Sequence, residues 1–322
     1  MSCRCGKVFL LILFAQAVLA QTRVELTEGW TLRSEDREIG PIDAPVPGVV
    51  HTALHRAGII PDPYFGDNEQ RIAWVDSTTW VYETRFHVPA EMQQPVLVFE
   101  GLDTIADIYL NGAHVLRADN MFRKWRVPVE PSATGEEAAL RIVFHPAALE
   151  AERLASEYPY PLPESPRMFV RKAAYHFGWD WGPRFVTAGP WRGVYLEDAA
   201  LPRLENVYLR TLRIDPARAY VEIVMELLNV EDGQVQVVVE LNGNESVRTT
   251  VDLDASDTEI FIPFVLDDPQ LWWPRGSGES TLYDMEIEVT VHGHTIRERQ
   301  RIGIRTVEID QSDGAFTFVI NG

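Results

Sequence analysis

Apolar and polar residues alternate along most of the chain with the period of two that is typical of half-buried β-strands. The clearest case is the segment 80–88, whose alternate positions are Trp80, Tyr82, Thr84, Phe86 and Val88. Further strand-like runs cover residues 95–100, 105–110, 139–144 and 193–197. Many short strands separated by turn residues are typical of a sandwich or a jelly roll. We therefore predict one such domain over residues 21–202.

Two short helical stretches interrupt the strands. The first covers 52–57 and ends before Gly58, a residue suited to the position after a helix. The second covers 147–158 and stops before Pro159. The connection that follows, residues 159–190, has no periodicity, and a connection of this length is usually functional or disordered. Its many aromatic residues argue against disorder, so we expect an ordered, projecting loop.

From residue 203 onward the pattern contains strands and almost no helix. Alternating apolar positions recur in the segments 221–227, 235–241, 260–264 and 283–291. About seven short strands in about 100 residues are typical of an immunoglobulin-like sandwich, which we predict over residues 203–305. Two more strand-like pieces follow in residues 306–322. The predicted fold class is all-β, a jelly-roll sandwich followed by an immunoglobulin-like β-sandwich.

The first twenty residues read as a secretory signal peptide. Arg4 and Lys7 precede an apolar run over residues 8–19 that ends in small residues suited to cleavage. The run is shorter than the ~20 apolar residues of a membrane span, although a retained N-terminal anchor is the alternative. Cys3 and Cys5 both fall in this segment, so the mature chain would have no disulfide and no thiol nucleophile. We expect a secreted or periplasmic protein.

Composition narrows the possible partners. Of the 322 residues 46% are hydrophobic, and the formal net charge is -19 at pH 7. Such an acidic chain repels nucleic acid and anionic membranes, whereas a neutral sugar is compatible with it. His51 and His55 stand four residues apart on the first helix but lack an evident third metal ligand. With no nucleotide-binding motif and no metal site, we expect no cofactor.

The most unusual segment is 175–191, inside the long connection. Between residues 168 and 191 the aromatic residues are Phe169, Tyr175, Phe177, Trp179, Trp181, Phe185 and Trp191. Asp180 stands between two of the tryptophans, with Gly178 and Gly182 outside them. Indole faces beside a fixed acceptor suit a sugar ring, and glycines permit tight turns at a loop tip. The alternative is that the two tryptophans belong to the core and Asp180 caps a turn.

Motifs along the whole chain resemble the N-terminal portion of the β-mannosidases of glycoside hydrolase family two. The most specific is Phe177-Gly-Trp-Asp-Trp-Gly-Pro183, preceded by Arg171-Lys172. The segments 60–69, 101–104, 110–112 and 120–122 resemble the family's galactose-binding-like jelly roll. The immunoglobulin-like domain is matched by 271–274 with 282–283, and the entry into the catalytic barrel by 301–306 and 320–322.

The resemblance implies a retaining exo-hydrolase of terminal non-reducing β-D-mannose that uses two glutamates on a (β/α)8 barrel. That barrel takes roughly 250 residues. We expect residues 306–322 to begin it and both glutamates to lie beyond Gly322. No residue of this chain is then expected to be catalytic, and the fragment alone is expected to be inactive. Asn68-Glu69 and Asn244-Glu245 mimic the family's acid/base dipeptide only superficially.

The resemblance also assigns binding roles. Asp180 would accept hydrogen bonds from mannose hydroxyls, and Trp179 and Trp181 would wall the subsite. Arg171 would hold the loop or pair with Asp180, although Arg171 and Lys172 can also be read as solvated surface. The expected partners are a β-mannoside or mannose-containing oligosaccharide and the catalytic barrel. Two alternatives stay open, a stand-alone carbohydrate-binding protein and another family-two glycosidase such as a β-galactosidase.

Overall fold

The structure is a computed structural model that describes residues 23–130, 134–163, 166–256 and 258–322. The predicted signal peptide, residues 1–20, lies outside the described residues. The chain divides into two compact units, the first ending at Asp198 and the second beginning at Ala199. Antiparallel strands dominate both units, which confirms the all-β fold class. In the described ranges no helix has the length and apolar character of a membrane span.

The first unit contains ten strands in its described residues. They are β1 (Arg23–Glu25), β2 (Thr31–Ser34), β3 (Ile42–Asp43), β4 (Trp80–His87), β5 (Pro95–Phe99), β6 (Ile105–Leu110), β7 (Ala113–Ala118), β8 (Trp125–Pro128), β9 (Glu137–His145) and β10 (Val194–Asp198). One sheet has the order β3-β2-β4-β9-β6-β7, and the other has the order β1-β10-β5-β8. All the pairings in these two sheets are antiparallel. The predicted sandwich is therefore present.

The two sheets share one apolar core. It takes Trp80 and Tyr82 from β4 and Leu97 and Leu196 from the smaller sheet, all with 0–1% of their surface exposed. In β4 the predicted inward face is buried, and Glu83, Arg85 and His87 on the other face are accessible, whereas Val81 on that face is buried as well. Burying a large apolar side chain contributes roughly 1.5–3 kcal/mol, so this core stabilises the frame that carries the irregular loop.

Three α-helices occur in the described residues of the first unit. They are α1 (Val50–Arg56), α2 (Asn68–Arg71) and α3 (Ala147–Glu157). α1 begins two residues earlier than predicted because Val50, together with Leu54, packs into the core. Gly58 follows with φ of 70°, in the left-handed region that favours glycine. α3 agrees with the predicted helix, and Tyr158 after it is already extended, as a residue before proline usually is.

The second unit is a sandwich of seven strands followed by a hairpin. The strands are β11 (Arg203–Asp215), β12 (Arg218–Leu228), β13 (Gly233–Leu241), β14 (Asn244–Leu253), β15 (Glu259–Asp267), β16 (Tyr283–Val291), β17 (His294–Ile302), β18 (Val307–Asp310) and β19 (Thr317–Ile320). The sandwich has sheets β11-β12-β15 and β14-β13-β16-β17. Alternate residues of both sheets form its core, among them Ile223, Val237 and Ile287. This is the predicted immunoglobulin-like arrangement.

The two strand-like pieces predicted in residues 306–322 form the β18-β19 hairpin. Asn321 ties it to the rest of the second unit, since its amide donates to the carbonyl of Trp272 at 3.1 Å and its Oδ1 accepts the N–H of Thr306 at 3.0 Å. Val307 and Phe318 expose 53% and 63% of their surface. That this segment begins a catalytic barrel stays a prediction.

Candidate carbohydrate-binding loop

The aromatic segment, residues 175–191, has a tight hairpin at its centre. This hairpin is the tip of the irregular loop, residues 159–190. The N–H of Trp179 donates to the carbonyl of Gly182 at 3.1 Å, and the N–H of Gly182 donates back to Trp179 at 3.2 Å. Asp180 and Trp181 are therefore the two residues of the turn. Gly178, just before it, has φ of 92° and ψ of 147°, a conformation that is essentially limited to glycine. Gly178 therefore sets the direction of the backbone as it enters the tip.

Both tryptophans of the tip are accessible to solvent. Trp181 exposes 71% of its surface and Trp179 exposes 45%, so the alternative that they are core residues is wrong. Tyr175 lies beside Trp181 with 5.9 Å between ring centres. The guanidinium of Arg167 lies 4.5 Å from the ring centre of Trp179 and contacts it by a cation–π interaction. Arg167 therefore covers part of the Trp179 ring, whereas Trp181 keeps most of its surface accessible.

The carboxylate of Asp180 is exposed at the same tip. It accepts no hydrogen bond and joins no ion pair within the described part of the chain, so it does not cap the turn. A charged acceptor next to two exposed indoles is a suitable arrangement for a sugar, whose C–H faces stack on aromatic rings and whose hydroxyls donate hydrogen bonds. The tip therefore presents the kinds of group that a neutral carbohydrate would need.

Arg171 holds a different position from the one expected if it paired with Asp180. Its side chain is exposed and lies 3.4 Å from the carboxylate of Asp119, so the pairing with Asp180 is wrong. Its carbonyl accepts the N–H of Met121 at 3.1 Å, and its backbone bridges Asn120. Arg171 thus attaches the start of the aromatic segment to the connection between β7 and β8 through its backbone.

Lys172, the next residue, is fully buried, and the interpretation of it as solvated surface is wrong. Its Nζ donates to Asp103 Oδ1 at 2.5 Å and to the carbonyl of Thr187 at 2.8 Å. The hydroxyl of Thr187 donates to Asp103 Oδ2 at 2.6 Å. Burial lowers the pKa of the Lys172 amine, and the charge of Asp103 opposes that shift. We call Lys172, Asp103 and Thr187 the root cluster.

The chain returns to the root cluster immediately after the loop. The N–H of Asp103 donates to the carbonyl of Gly189 at 2.9 Å, and the N–H of Gly189 donates to Asp103 at 3.0 Å. A Cβ at position 189 would stand 2.7 Å from the carbonyl of Gly48, and φ there is 143°. Only glycine allows this approach, because a side chain would collide with backbone that cannot move away.

A second polar cluster holds the returning arm of the loop. The guanidinium of Arg184 pairs with Asp76, and the backbone N–H of Arg184 donates to Glu69 Oε1 at 2.6 Å. Burial raises the pKa of Asp76 to about 6, although Arg184 opposes the shift. Burial also lowers the pKa of His51, whose Nε2 lies 4.0 Å from Asp76, to about 4. Glu69 therefore anchors a loop backbone, in contrast to its superficial likeness to an acid/base residue.

A cleft of about 340 Å³ adjoins this cluster and is lined by His51, Thr52, His55, Asp62, Tyr64, Phe185 and neighbouring residues. His51 and His55 both line it, and the described residues contain no group of three or more potential metal ligands. His55 Nδ1 instead lies 3.4 Å from the carbonyl of Ile60. The cleft thus lies beside the returning arm of the loop, which contributes Phe185 to its wall.

Comparison with known proteins places this geometry in a family. Residues 30–192 match the model for the glycosyl hydrolase 2 galactose-binding domain-like family, and residues 203–305 match the model for glycosyl hydrolases family 2. A β-mannosidase B from Thermothelomyces thermophilus is 35% identical over 301 residues, which cover 89% of this chain and 35% of that protein.

Solved structures of similar fold agree with these family matches. The β-D-mannosidase from Dictyoglomus thermophilum superposes with a TM-score of 0.80 at 32% identity, over 93% of this chain and 38% of that one. An exo-chitosanase from Amycolatopsis orientalis shares the fold with a TM-score of 0.66 at 18% identity, over 93% of this chain and 36% of the other. The chain thus spans little more than a third of the length of the proteins that it matches. It belongs to glycosyl hydrolase family 2 and carries that family's galactose-binding-like and immunoglobulin-like domains.

Proposed function

We propose that this chain is the substrate-binding N-terminal part of a β-mannosidase that removes terminal non-reducing β-D-mannose with retention of configuration. The observation that carries the proposal is the exposed tip of the loop, where the unpaired carboxylate of Asp180 stands between Trp179 and Trp181. The 35% identity to a β-mannosidase B supports mannose as the sugar. Asp180 would accept hydrogen bonds from its hydroxyls, and the two indoles would wall its ring.

Bond cleavage is assigned to residues that this sequence does not include. A retaining glycosidase needs two carboxyl groups about 5–5.5 Å apart, one as nucleophile and one as acid/base. Asp180 is the one carboxylate of the tip, residues 179–182, and a lone carboxylate cannot fill both roles. Because the chain spans 35% of the β-mannosidase B cited above, we place both glutamates on a barrel in the remainder of the protein. Secretion or export to the periplasm, with a mannose-containing oligosaccharide as substrate, completes the proposal.

The test is a comparison of substrates with the complete protein. We expect hydrolysis of an aryl β-mannoside with kcat/KM at least about 100-fold above that for the matching aryl β-galactoside, since a site built to bond a hydroxyl strongly rejects a sugar that misplaces it. Proton NMR of the first-formed sugar should show the β-anomer. Preferred galactoside cleavage would overturn the assignment of the sugar, and the α-anomer as first product would overturn retention.

A second candidate function is that of a carbohydrate-binding protein without hydrolysis. It is favoured by the accessibility of the tip in this chain alone, where Trp181 exposes 71% of its surface. Calorimetry with mannose and mannobiose distinguishes the two functions. We expect weak or no binding to the 322-residue chain and no turnover by it. Micromolar affinity without the remainder of the protein would favour the binding function, and turnover by the pure chain would contradict the assignment of catalysis to other residues.

A further inference from the structure

We propose that Lys172 is a positioning residue for glycoside binding, acting through Asp103 and Thr187 to fix both ends of the aromatic loop at one buried point. The inference rests on the proposed function for its kinetic test and goes beyond it in naming what sets the place of Asp180. Lys172 contacts no part of the exposed tip, so its effect on a bound sugar would be indirect.

The connectivity of the root cluster is the first reason. Lys172 precedes the segment 173–186, and Thr187 follows it. Both bind the carboxylate of Asp103, Lys172 at 2.5 Å and Thr187 at 2.6 Å, and Lys172 Nζ also bonds the carbonyl of Thr187 at 2.8 Å. The fourteen-residue excursion that carries Asp180 therefore starts and ends on one carboxylate group.

The burial of the charges is the second reason. The side chains of Lys172 and Asp103 expose 0% and 1% of their surface. Removing two charges from water is unfavourable, and a well-packed apolar pair in their place is often as stable or more stable. The stability of the fold therefore does not by itself explain why a buried ion pair is present here. An ion pair with several directed hydrogen bonds does fix one geometry, and that is the property needed at the base of a binding loop.

The loop itself contains little other regular structure to hold its tip. Between residues 173 and 186 the backbone forms one 3-10 turn, Ala174–Phe177, and the tip hairpin. His176, in that turn, lies 3.2 Å from the hydroxyl of Thr187 and so connects the outgoing arm to the same cluster. A shift of the root would therefore move the turn, and the turn leads directly into the tip at Trp179.

The structural test uses a neutral replacement of the buried pair. The variant Asp103→Asn/Lys172→Met leaves no uncompensated charge, so it should fold where Lys172→Met alone is at risk of unfolding. Hydrogen exchange of the complete protein should show the amides of residues 173–182 exchanging roughly tenfold faster or more, because the outgoing arm and the tip open locally when the root cluster is lost. The returning arm is held separately, since the backbone N–H of Arg184 donates to Glu69. The core strand β9 should keep its protection. Unchanged exchange in the loop would overturn the inference, whatever the protein's activity.

The functional test is a double-mutant cycle with Asp180. In the otherwise unaltered protein, Asp103→Asn/Lys172→Met should lower kcat/KM for an aryl β-mannoside about 10- to 100-fold, since small displacements of binding groups have effects of this size. In an Asp180→Ala background the same pair of substitutions should lower it less than about 3-fold, because the group being positioned is already absent. Equal losses in both backgrounds would mean that Lys172 does not act through Asp180.

A stability control separates positioning from general destabilisation. Leu140, in the core strand β9, exposes 1% of its surface, and Leu140→Ala creates a cavity without touching the loop. Assayed well below its unfolding temperature, this variant should keep kcat/KM within about 2-fold of the unaltered protein. A loss as large as that of the root variant would contradict the inference. If the unaltered protein cleaves no glycoside at all, the proposed function fails, and the exchange result still decides the role of Lys172.

Discussion

Removing the amine of Lys172 alone should be among the most destabilising changes in the first unit. In Lys172→Met the carboxylate of Asp103, 1% exposed, would keep the hydroxyls of Thr187 and Thr104 as donors but would lose the ammonium that neutralises its charge. Breaking a buried ion pair in this way costs about 3–5 kcal/mol, because one charge stays buried without compensation. The magnitude is set by burial, since a solvent-exposed pair is worth only about 0–1 kcal/mol.

Scanning calorimetry of the transition in which the first unit unfolds measures this effect. In a domain of 150–250 residues 1 kcal/mol shifts the unfolding temperature by about 2–4 °C, so Lys172→Met should lower it by about 6–20 °C. The exposed pair between Arg85 and Glu137, with 70% and 46% of the side-chain surfaces accessible, is the matched control, and Arg85→Met should shift the temperature by less than about 4 °C. Asp103→Asn/Lys172→Met should recover most of the loss. A shift below about 4 °C for Lys172→Met would refute the buried-charge reasoning.

The tip and the second polar cluster yield further expected outcomes. Gly178→Ala should lower the unfolding free energy by about 1–3 kcal/mol, because φ of 92° is left-handed, whereas Gly182→Ala, with ordinary φ and open space, should stay within about 0.5 kcal/mol in denaturant titrations. The pKa of buried His51 is lowered to about 4, so the unfolded chain binds its proton first and stability is lost as pH falls from 6.5 to 4. His51→Phe should remove up to about 3 kcal/mol of that loss between pH 7 and pH 4, and an unchanged pH profile would contradict it. Asp76, with its pKa raised to about 6, acts with the opposite sign, so its contribution is lost as pH rises from 4 to 6, and Asp76→Asn should flatten that fall.

The fold could be predicted from sequence because each strand repeats a simple pattern. β4 has its buried face at Trp80, Tyr82 and Phe86, as the period of two requires. The hairpin turn at Asn242-Gly243 also follows from local chemistry, since both residues have positive φ. Such features depend on near neighbours in the chain, and the physical rules for them are local. The projecting loop is expected on other grounds, the length and the aromatic content of the connection 159–190, and these left the burial of the two tryptophans open.

The polar clusters could not be predicted, because they join residues far apart in sequence. Lys172 and Asp103 are 69 residues apart, and nothing near Lys172 indicates a buried carboxylate. A lysine beside an arginine is usually solvated, and here the two adjacent side chains point to opposite environments, with Arg171 exposed and Lys172 buried. Glu69 and Arg184 are 115 residues apart and meet only in the fold. The one available signal was the glycine at 189, which marks a close backbone approach.

The most direct test of the central claim is the effect of Asp180→Ala on hydrolysis of an aryl β-mannoside by the complete protein. A hydrogen bond to a charged acceptor contributes about 1.5–3 kcal/mol, so kcat/KM should fall by about 10- to 150-fold while the unfolding temperature stays unchanged. Asp43→Ala, which removes an exposed carboxylate on β3, is the matched control and should keep full activity. Equal activity of the Asp180→Ala variant and the unaltered protein would contradict the assignment of this loop to the mannose subsite.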